Sequence, residues 1–209
     1  KLLHEPVYPS TSQPTPQDFV DVFNKLSEEA DGILAIHISK KLSGTINSAE
    51  QAVKMVATKG LTEIVDSQSV SMGLGIQVIA AARMAKQGKN LAEISAAVKT
   101  MVPNTQVFIL FDTLEFLAKG GRIGKAKSLM GSILNVKPLI SVKNGELVPS
   151  GQVRSRAKGK EKLLEFANSL KDIEDLTVIH STTPEEAREL ANGIASFPKE
   201  RIYVQRVGP

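Results

Sequence analysis

With 209 residues, the chain is long enough for one large domain or two small ones, and 42% hydrophobic with 23% charged residues is an ordinary globular composition. A net charge of +4 is too weak a bias to imply nucleic acid, and 4% aromatics with no Trp argue against a stacking platform for single strands. Zero Cys excludes disulfides, thiol catalysis and cysteine-ligated metal, and no apolar run approaches the roughly 18 residues of a spanning helix.

In chain order, Pro6, Pro9 and Pro14 mark residues 1–14 as an extended lead-in. Thr15 as N-cap, Pro16 at the first helical position and Asp18 at the third predict a helix with Phe19, Val22, Phe23 and Leu26 as its apolar face. A buried strand is expected over 33–38. It runs into Ser43-Gly44-Thr45, and Ile46, Ala49, Val53 and Val56 then recur at helical spacing. A second strand, 62–66, ends at Ser67-Gln68-Ser69. The helix over 71–87 is rich in Gly and Ala, which predicts close packing on the sheet, and Gly88 stops it. Asn90 with Glu93 forms a capping box for a helix with the face Leu91, Ile94, Val98 and Met101, and Pro103 lies past its end. This order of elements predicts a parallel sheet with helical crossovers.

Beyond Pro103 the pattern changes. A strand over 107–111 leads to a short helix through Leu114 and Leu117, then to Gly120-Gly121 and a second short helix from Ile123 to Ile133. Asn144-Gly145 between apolar arms predicts a type I′ hairpin over 139–148, hence antiparallel strands. A helix holding Leu163, Leu164, Phe166, Ala167 and Leu170 is followed by a strand over 176–180. Thr183-Pro184-Glu185-Glu186 is a capping box for a helix with Leu190, Ala191, Ile194 and Phe197, and a strand over 201–205 closes the pattern. The expected fold class is α/β in two domains. Residues 1–102 form a parallel-sheet domain with helical crossovers, and residues 103–209 a smaller mixed α+β domain with a hairpin.

Ser43, Gly44 and Thr45 sit between strand and helix. There a Gly allows close approach of a ligand, and the unpaired N–H groups of the helix start, with two hydroxyls, can hold a carboxylate or phosphate oxygen. Ser43 as a simple helix cap is the plainer alternative. Lys119-Gly120-Gly121-Arg122-Ile123-Gly124-Lys125 fails as a phosphate loop on spacing, because Lys119 stands where a Gly is needed and Ala126 where a Ser or Thr is needed. It reads either as a helix stop followed by a turn or as glycines that expose Arg122 for anion contact. Met72-Gly73-Leu74-Gly75 lacks the third Gly of a dinucleotide fingerprint. His4, His37 and His180 lack metal-ligand spacing, and the last two, at strand ends, are expected to be hydrogen-bonded structural residues. The basic run Arg154, Arg156, Lys158, Lys160, Lys162 is either a solvated helix start or a docking patch for an acidic protein surface.

Taken together, these strings resemble the DegV family of bacterial proteins. The matches are Thr11-Ser12-Gln13-Pro14-Thr15-Pro16, Leu42 to Ala49, Val65-Asp66-Ser67, Asp112-Thr113-Leu114-Glu115-Phe116-Leu117 with Gly120-Gly121-Arg122-Ile123-Gly124, and Lys137-Pro138-Leu139-Ile140. The resemblance implies a protein that binds one long-chain fatty acid in a tunnel between its two domains. It also implies presentation of the carboxylate to a separate fatty acid kinase subunit and carriage of the acyl phosphate toward phospholipid synthesis. By resemblance Thr11 and Ser43 match hydroxyls that hold the carboxylate, with Ser12, Gly44 and Thr45 beside them and Arg122 in support. Arg154 matches an Arg facing the kinase, with Arg156 as its nearest substitute. The family's first strand, ending in Asp-Ser-Thr, and a last strand with a His-Thr-Gly-Pro-like segment are expected to fall outside this chain.

The implied protein is a cytoplasmic binding subunit without catalytic residues, metal or cofactor of its own beyond the bound acid. It has no nucleic-acid partner and at most transient membrane contact. A different reading of the same hydroxyls is a phosphotransferase or hydrolase for a small anionic substrate, with Ser43 or Thr11 reactive, although no base is placed by sequence to activate either. A nucleic-acid-binding regulator would rest on the basic run alone.

Overall fold

A computed structural model describes residues 10–56, 62–130 and 136–207. Helix α1 (Pro16–Ser27) opens with the expected capping box: Thr15 Oγ1 accepts from the Asp18 N–H, and the Asp18 carboxylate accepts from the Thr15 N–H at 2.7 Å. Strand β1 (Ile33–His37), helix α2 (Thr45–Met55), strand β2 (Thr62–Asp66), helix α3 (Met72–Lys86) and helix α4 (Leu91–Met101) follow. The two strands pair in parallel, Ile33 beside Thr62 through His37 beside Asp66.

Because side chains alternate across a strand, β1 feeds two cores. Ile33 and Ala35 join Val20, Phe23, Ala49, Ala52 and Val56 beneath α1 and α2. Leu34 and Ile36 pack with Val65, Ala81, Ile94 and Val98 beneath α3 and α4. The sheet is therefore covered on both faces, as a parallel sheet requires. The face of α1 differs from expectation. Phe19, Val20 and Phe23 turn inward, while Val22 is 51% and Leu26 38% exposed. Either row keeps Phe19 and Phe23 at helical spacing, and packing against α2 selects the flank that carries Val20. Gly73 has the close approach its composition predicts, since a Cβ there would overlap Ser69 Oγ. Gly88, at φ +82°, ends α3, and Asn90 and Glu93 cap α4 reciprocally.

The second half contains β3 (Phe108–Leu110), α5 (Glu115–Lys119), β4 (Lys137–Lys143) and β5 (Glu146–Val153), with the strands antiparallel in the order β3-β4-β5. Asn144 at φ +50° and Gly145 at φ +79° make the expected type I′ turn. The helix expected from Ile123 to Ile133 is instead a 3₁₀ turn over Gly124–Leu129. Gly124, at φ +55°, is outside the α region, and Ile133 lies outside the described residues.

Helix α6 (Arg156–Ser169), strand β6 (Leu176–His180), helix α7 (Pro184–Gly193) and strand β7 (Ile202–Arg206) complete the order, with β6 and β7 parallel around a core of Ala167, Val178, Ala187, Ala191, Ile194 and Phe197. The capping box expected at Thr183 and Glu186 does not form. Arg156 takes both partners instead: Nη2 donates to Thr183 Oγ1 at 3.2 Å and Nε to the Glu186 carboxylate at 2.7 Å. The architecture is α/β, with two parallel pairs and one antiparallel sheet among the described residues.

Candidate functional site

Ligands of open parallel sheets gather outside the carboxyl ends of the strands, where chain turns back into helix. Here β1 runs out through Ser39 to Thr45 and β2 through Ser67 to Ser71. The two exits are tied together by Ser39 N–H to Ser69 O at 2.9 Å and Ser67 N–H to His37 O at 3.1 Å. Gln68 and Ser71, at φ +47° and +54°, hold left-handed backbone conformations that non-Gly residues seldom adopt.

After β1 the chain makes one tight turn, with Leu42 N–H and Ser43 N–H both donating to Ser39 O. Gly44 stands at the N-cap of α2 without a side-chain cap. Ser43 performs part of that duty from one residue earlier, since its Oγ accepts from the Thr45 N–H at 3.3 Å. The Ser43 and Thr45 hydroxyls lie 2.8 Å apart in a mutual hydrogen bond, both half-buried. The cap and ligand readings of Ser43 are thus compatible: its hydroxyl orders the first turn and pairs with that of Thr45 at the helix start. Gly44 has an ordinary φ of −75°. The Gln13 side chain lies over it, so that a Cβ there would stand 2.9 Å from Gln13 Nε2 and push that flexible amide aside.

Gln13 therefore brings the segment bearing Thr11 and Ser12 over the start of α2. Both residues are exposed, and neither side chain has a hydrogen bond among the described residues.

Arg122 arrives from the second half of the chain. Helix α5 ends with Arg122 N–H on Leu117 O and Gly121 N–H on Ala118 O, and Gly121, at φ +71°, takes the left-handed position. This turns the Arg122 side chain toward the β1 exit. Its Nε donates to Leu42 O at 3.4 Å and its Nη1 to Gly120 O at 2.5 Å. An exposed guanidinium is thereby anchored one residue from Ser43. The assembled group is two hydroxyls, the start of an 11-residue helix and an arginine, all favouring an anion.

Two histidines at strand ends depart from expectation. His37 Nε2 and His180 Nδ1 are buried without a hydrogen-bond partner among the described residues. The His37 ring packs edge-on against Phe19, centroids 5.1 Å apart, and burial holds its pKa below the ordinary 6.5. Beside the β2 exit, Val70, Ser71, Met72 and Ile79 line an open, mainly apolar cleft of about 670 Å³, bordered on the other side by Ile179, Tyr203, Gln205, Arg206 and Val207.

Of the basic run, Lys158 pairs with Glu161, Lys160 with Glu186 and Glu189, and Lys162 with Glu165. The Arg156 guanidinium is committed within the fold to Glu186, Thr183 and Asp112, the last at 3.1 Å. Arg154 is exposed and has no ion-pair partner among the described residues. Gln13 and Ser39 are the site-building residues that sequence reasoning passed over. Gln13 stood only within a motif string, and Ser39 carries no local signal beyond its place between the predicted strand and Ser43.

These features define an α/β protein with an anion-favouring group at the end of its first parallel pair. A family model described as an uncharacterised protein, DegV family, matches residues 1–209. The chain belongs to the DegV family. It is 39% identical over 157 residues to a DegV domain-containing protein of Deinococcus radiodurans, covering 75% of this chain and 55% of that one. It thus spans little more than half of that relative's length. Among solved structures it resembles a DegV family protein from Thermus thermophilus described as fatty acid binding, with a TM-score of 0.82 and 32% identity over 96% of this chain and 72% of that one. It also resembles a stearic acid-binding protein from Eubacterium ventriosum, with a TM-score of 0.83 and 26% identity over 91% and 68%.

Proposed function

We propose that this chain binds a long-chain fatty acid, with the carboxylate held by Ser43, Thr45 and the N–H of Gly44, supported by Arg122 and overlain by Thr11 and Ser12. The observation that carries this reading is the anchoring of Arg122 on Leu42 O, which joins a cation to the hydroxyl pair at a helix start. The fatty acid binding described for the Thermus and Eubacterium proteins supports the ligand class. A chain of about sixteen carbons, at ~0.8 kcal/mol per buried methylene, supplies enough gross affinity to offset the cost of association. The polar group then needs only to fix the orientation of the headgroup. The mutual hydrogen bond of Ser43 and Thr45 supports binding over hydrolysis, because neither hydroxyl is paired with a base.

On this reading the chain divides near 102–105 into a parallel-sheet part and a mixed part, with the acyl chain between them. The protein works in the cytoplasm as a non-catalytic subunit. It presents the carboxylate to a separate fatty acid kinase subunit, with Arg154 as the docking contact, since that is the one cation of the run left unpaired among the described residues. The test is extraction of the purified protein with organic solvent and mass spectrometry of the extract, followed by titration of the delipidated protein with palmitic acid. A co-purifying acid or saturable binding is expected. Failure of both refutes the proposal.

A further inference from the structure

We infer that the tip of the β4–β5 hairpin is a positioning element for the carboxylate site, acting through Ser39; this rests on the fatty-acid reading. Three consecutive residues of the hairpin touch the two loops that carry Ser43 and Arg122. The Gly145 carbonyl accepts from Ser39 Oγ at 2.7 Å, and Ser39 is fully buried. Gly145 is pressed against that hydroxyl so closely that a Cβ would overlap it. The Glu146 carboxylate spans two lysines, Lys41 of the Ser43 turn at 3.4 Å and Lys125 of the Arg122 loop at 2.9 Å. The backbone of Leu147 receives Gly124, where a Cβ would stand 2.9 Å from Leu147 O. Arg122 is two residues before that contact.

Ser39 is the residue on which this arrangement converges. Its carbonyl closes the turn by accepting from Leu42 and Ser43, its N–H reaches Ser69 O, and its hydroxyl accepts from the Lys41 N–H at 3.2 Å while donating to Gly145. Every hydrogen-bonding group of Ser39 is thus used to hold the turn that carries Ser43 to the β2 exit and to the hairpin. Apart from the hairpin, Arg122 is tied to that turn by the long bond to Leu42 O and by the packing of Leu42 in the cluster that holds Ile123. Recognition of a carboxylate by two separate loops needs their spacing held to about half an ångström, and a rigid two-stranded tip supplies it. Ser39 does not face the ligand. It acts on the headgroup through Ser43.

The experiment compares dissociation constants for palmitic acid and 1-hexadecanol, which share a tail and differ in headgroup charge, in wild type, Ser39→Ala and Glu146→Gln. Wild type is expected to prefer the acid. Ser39→Ala should reduce that preference about five-fold, a loss of the order of one hydrogen bond, while hexadecanol affinity holds within about two-fold. In a Ser43→Ala background the same change should add little, because the two residues act through one contact. Glu146→Gln, a partly exposed position, should shift the preference in the same direction by a smaller factor.

Equal losses for acid and alcohol, full additivity with Ser43→Ala, or an unchanged preference would each overturn the inference while leaving the fatty-acid reading intact. Should Ser39→Ala melt below assay temperature, an unchanged preference in Glu146→Gln decides against the inference. A wild type that binds neither probe, or both alike, overturns both readings.

Discussion

Replacing Arg156 by Ala tests whether this residue belongs to the fold or to a docking face. Its guanidinium donates from Nε to Glu186, from Nη1 to Asp112 and from Nη2 to Thr183, joining the start of α6 to the start of α7 and to the loop after β3. Two charge-assisted bonds and one neutral bond would be worth about 4 kcal/mol or more if fully buried. Three facts reduce that. The Arg156 side chain is 36% exposed and Asp112 62%, so solvent screens both pairs. Neither acid is left bare, because Lys137 stays 3.0 Å from Asp112 and Lys160 stays 3.8 Å from Glu186. Loss of Arg156 also frees Thr183 and Glu186 to form the capping box that their spacing encodes, returning about 0.5–1 kcal/mol. The expected net loss is about 1–2 kcal/mol, a fall in melting temperature of about 3–6 °C for a chain of this length. Arg156→Lys should recover less than half, since an ammonium cannot reproduce the three-way fork. Thermal and urea unfolding followed by circular dichroism measure both variants, with Arg154→Ala as a control expected to melt with wild type. An Arg156→Ala melt within about 1 °C of wild type would refute the reasoning and return the residue to the docking face.

Ser43→Ala should weaken palmitate binding by about 1 kcal/mol, a few-fold, and Thr11→Ala likewise, with the double change less than additive if both hydroxyls meet one carboxylate; full additivity in a calorimetric titration counts against a shared headgroup. Arg154→Ala should leave lipid binding intact yet slow phosphorylation of the bound acid by the kinase subunit, with added salt bringing wild type toward the variant; an emptied pocket, or unchanged turnover at low salt, removes the docking role. Burial lowers the His37 pKa, so below pH 6.5 the unfolded chain takes up a proton that the folded chain resists, and stability falls on acidification. Melting temperature against pH should therefore be flatter below 6.5 in His37→Phe, and an unchanged slope rejects this. Lys137 first, with Arg156 adding its charge, holds the Asp112 carboxyl below 3.8. The stability deficit of Arg156→Ala should thus be full above that pH and shrink as pH falls through the folded value; a deficit independent of pH there points to packing instead.

Local grammar carried much of this protein into its sequence. The capping boxes at Thr15 and Asn90, the stop at Gly88 and the type I′ turn at Asn144-Gly145 form as their residues dictate, because each depends on groups within four positions of one another. The parallel pairing of β1 and β2 also followed from the order of elements, since short connections leave few topologies open. Ser43 and Thr45 were legible for the same reason: a hydroxyl pair at a strand-to-helix junction is a local object. Thr11 and Ser12 were legible only by resemblance, and among the described residues the structure adds only that Gln13 lays their segment over Gly44.

Where distant groups compete, sequence reasoning stopped short. Thr183 and Glu186 satisfy every local requirement of a capping box, yet an arginine 27 residues upstream of Thr183 takes both, because charged bonds outbid a neutral cap. The α1 face turned toward Val20 because α2 lies on that side, and helical spacing alone accepts either row. Arg122 could be recognised as an exposed cation but not as a neighbour of Ser43, 79 positions away. That proximity depends on the end of α5, the Gly124 turn and the hairpin tip acting together. Composition, periodicity and turn chemistry thus determined most of the elements and their class, since short-range sterics and hydrogen bonds specify them, the 3₁₀ turn over Gly124–Leu129 being an exception. The meeting of Ser39 with Gly145 and of Arg122 with Leu42 was decided only in the folded chain, where packing sets which distant polar groups find one another.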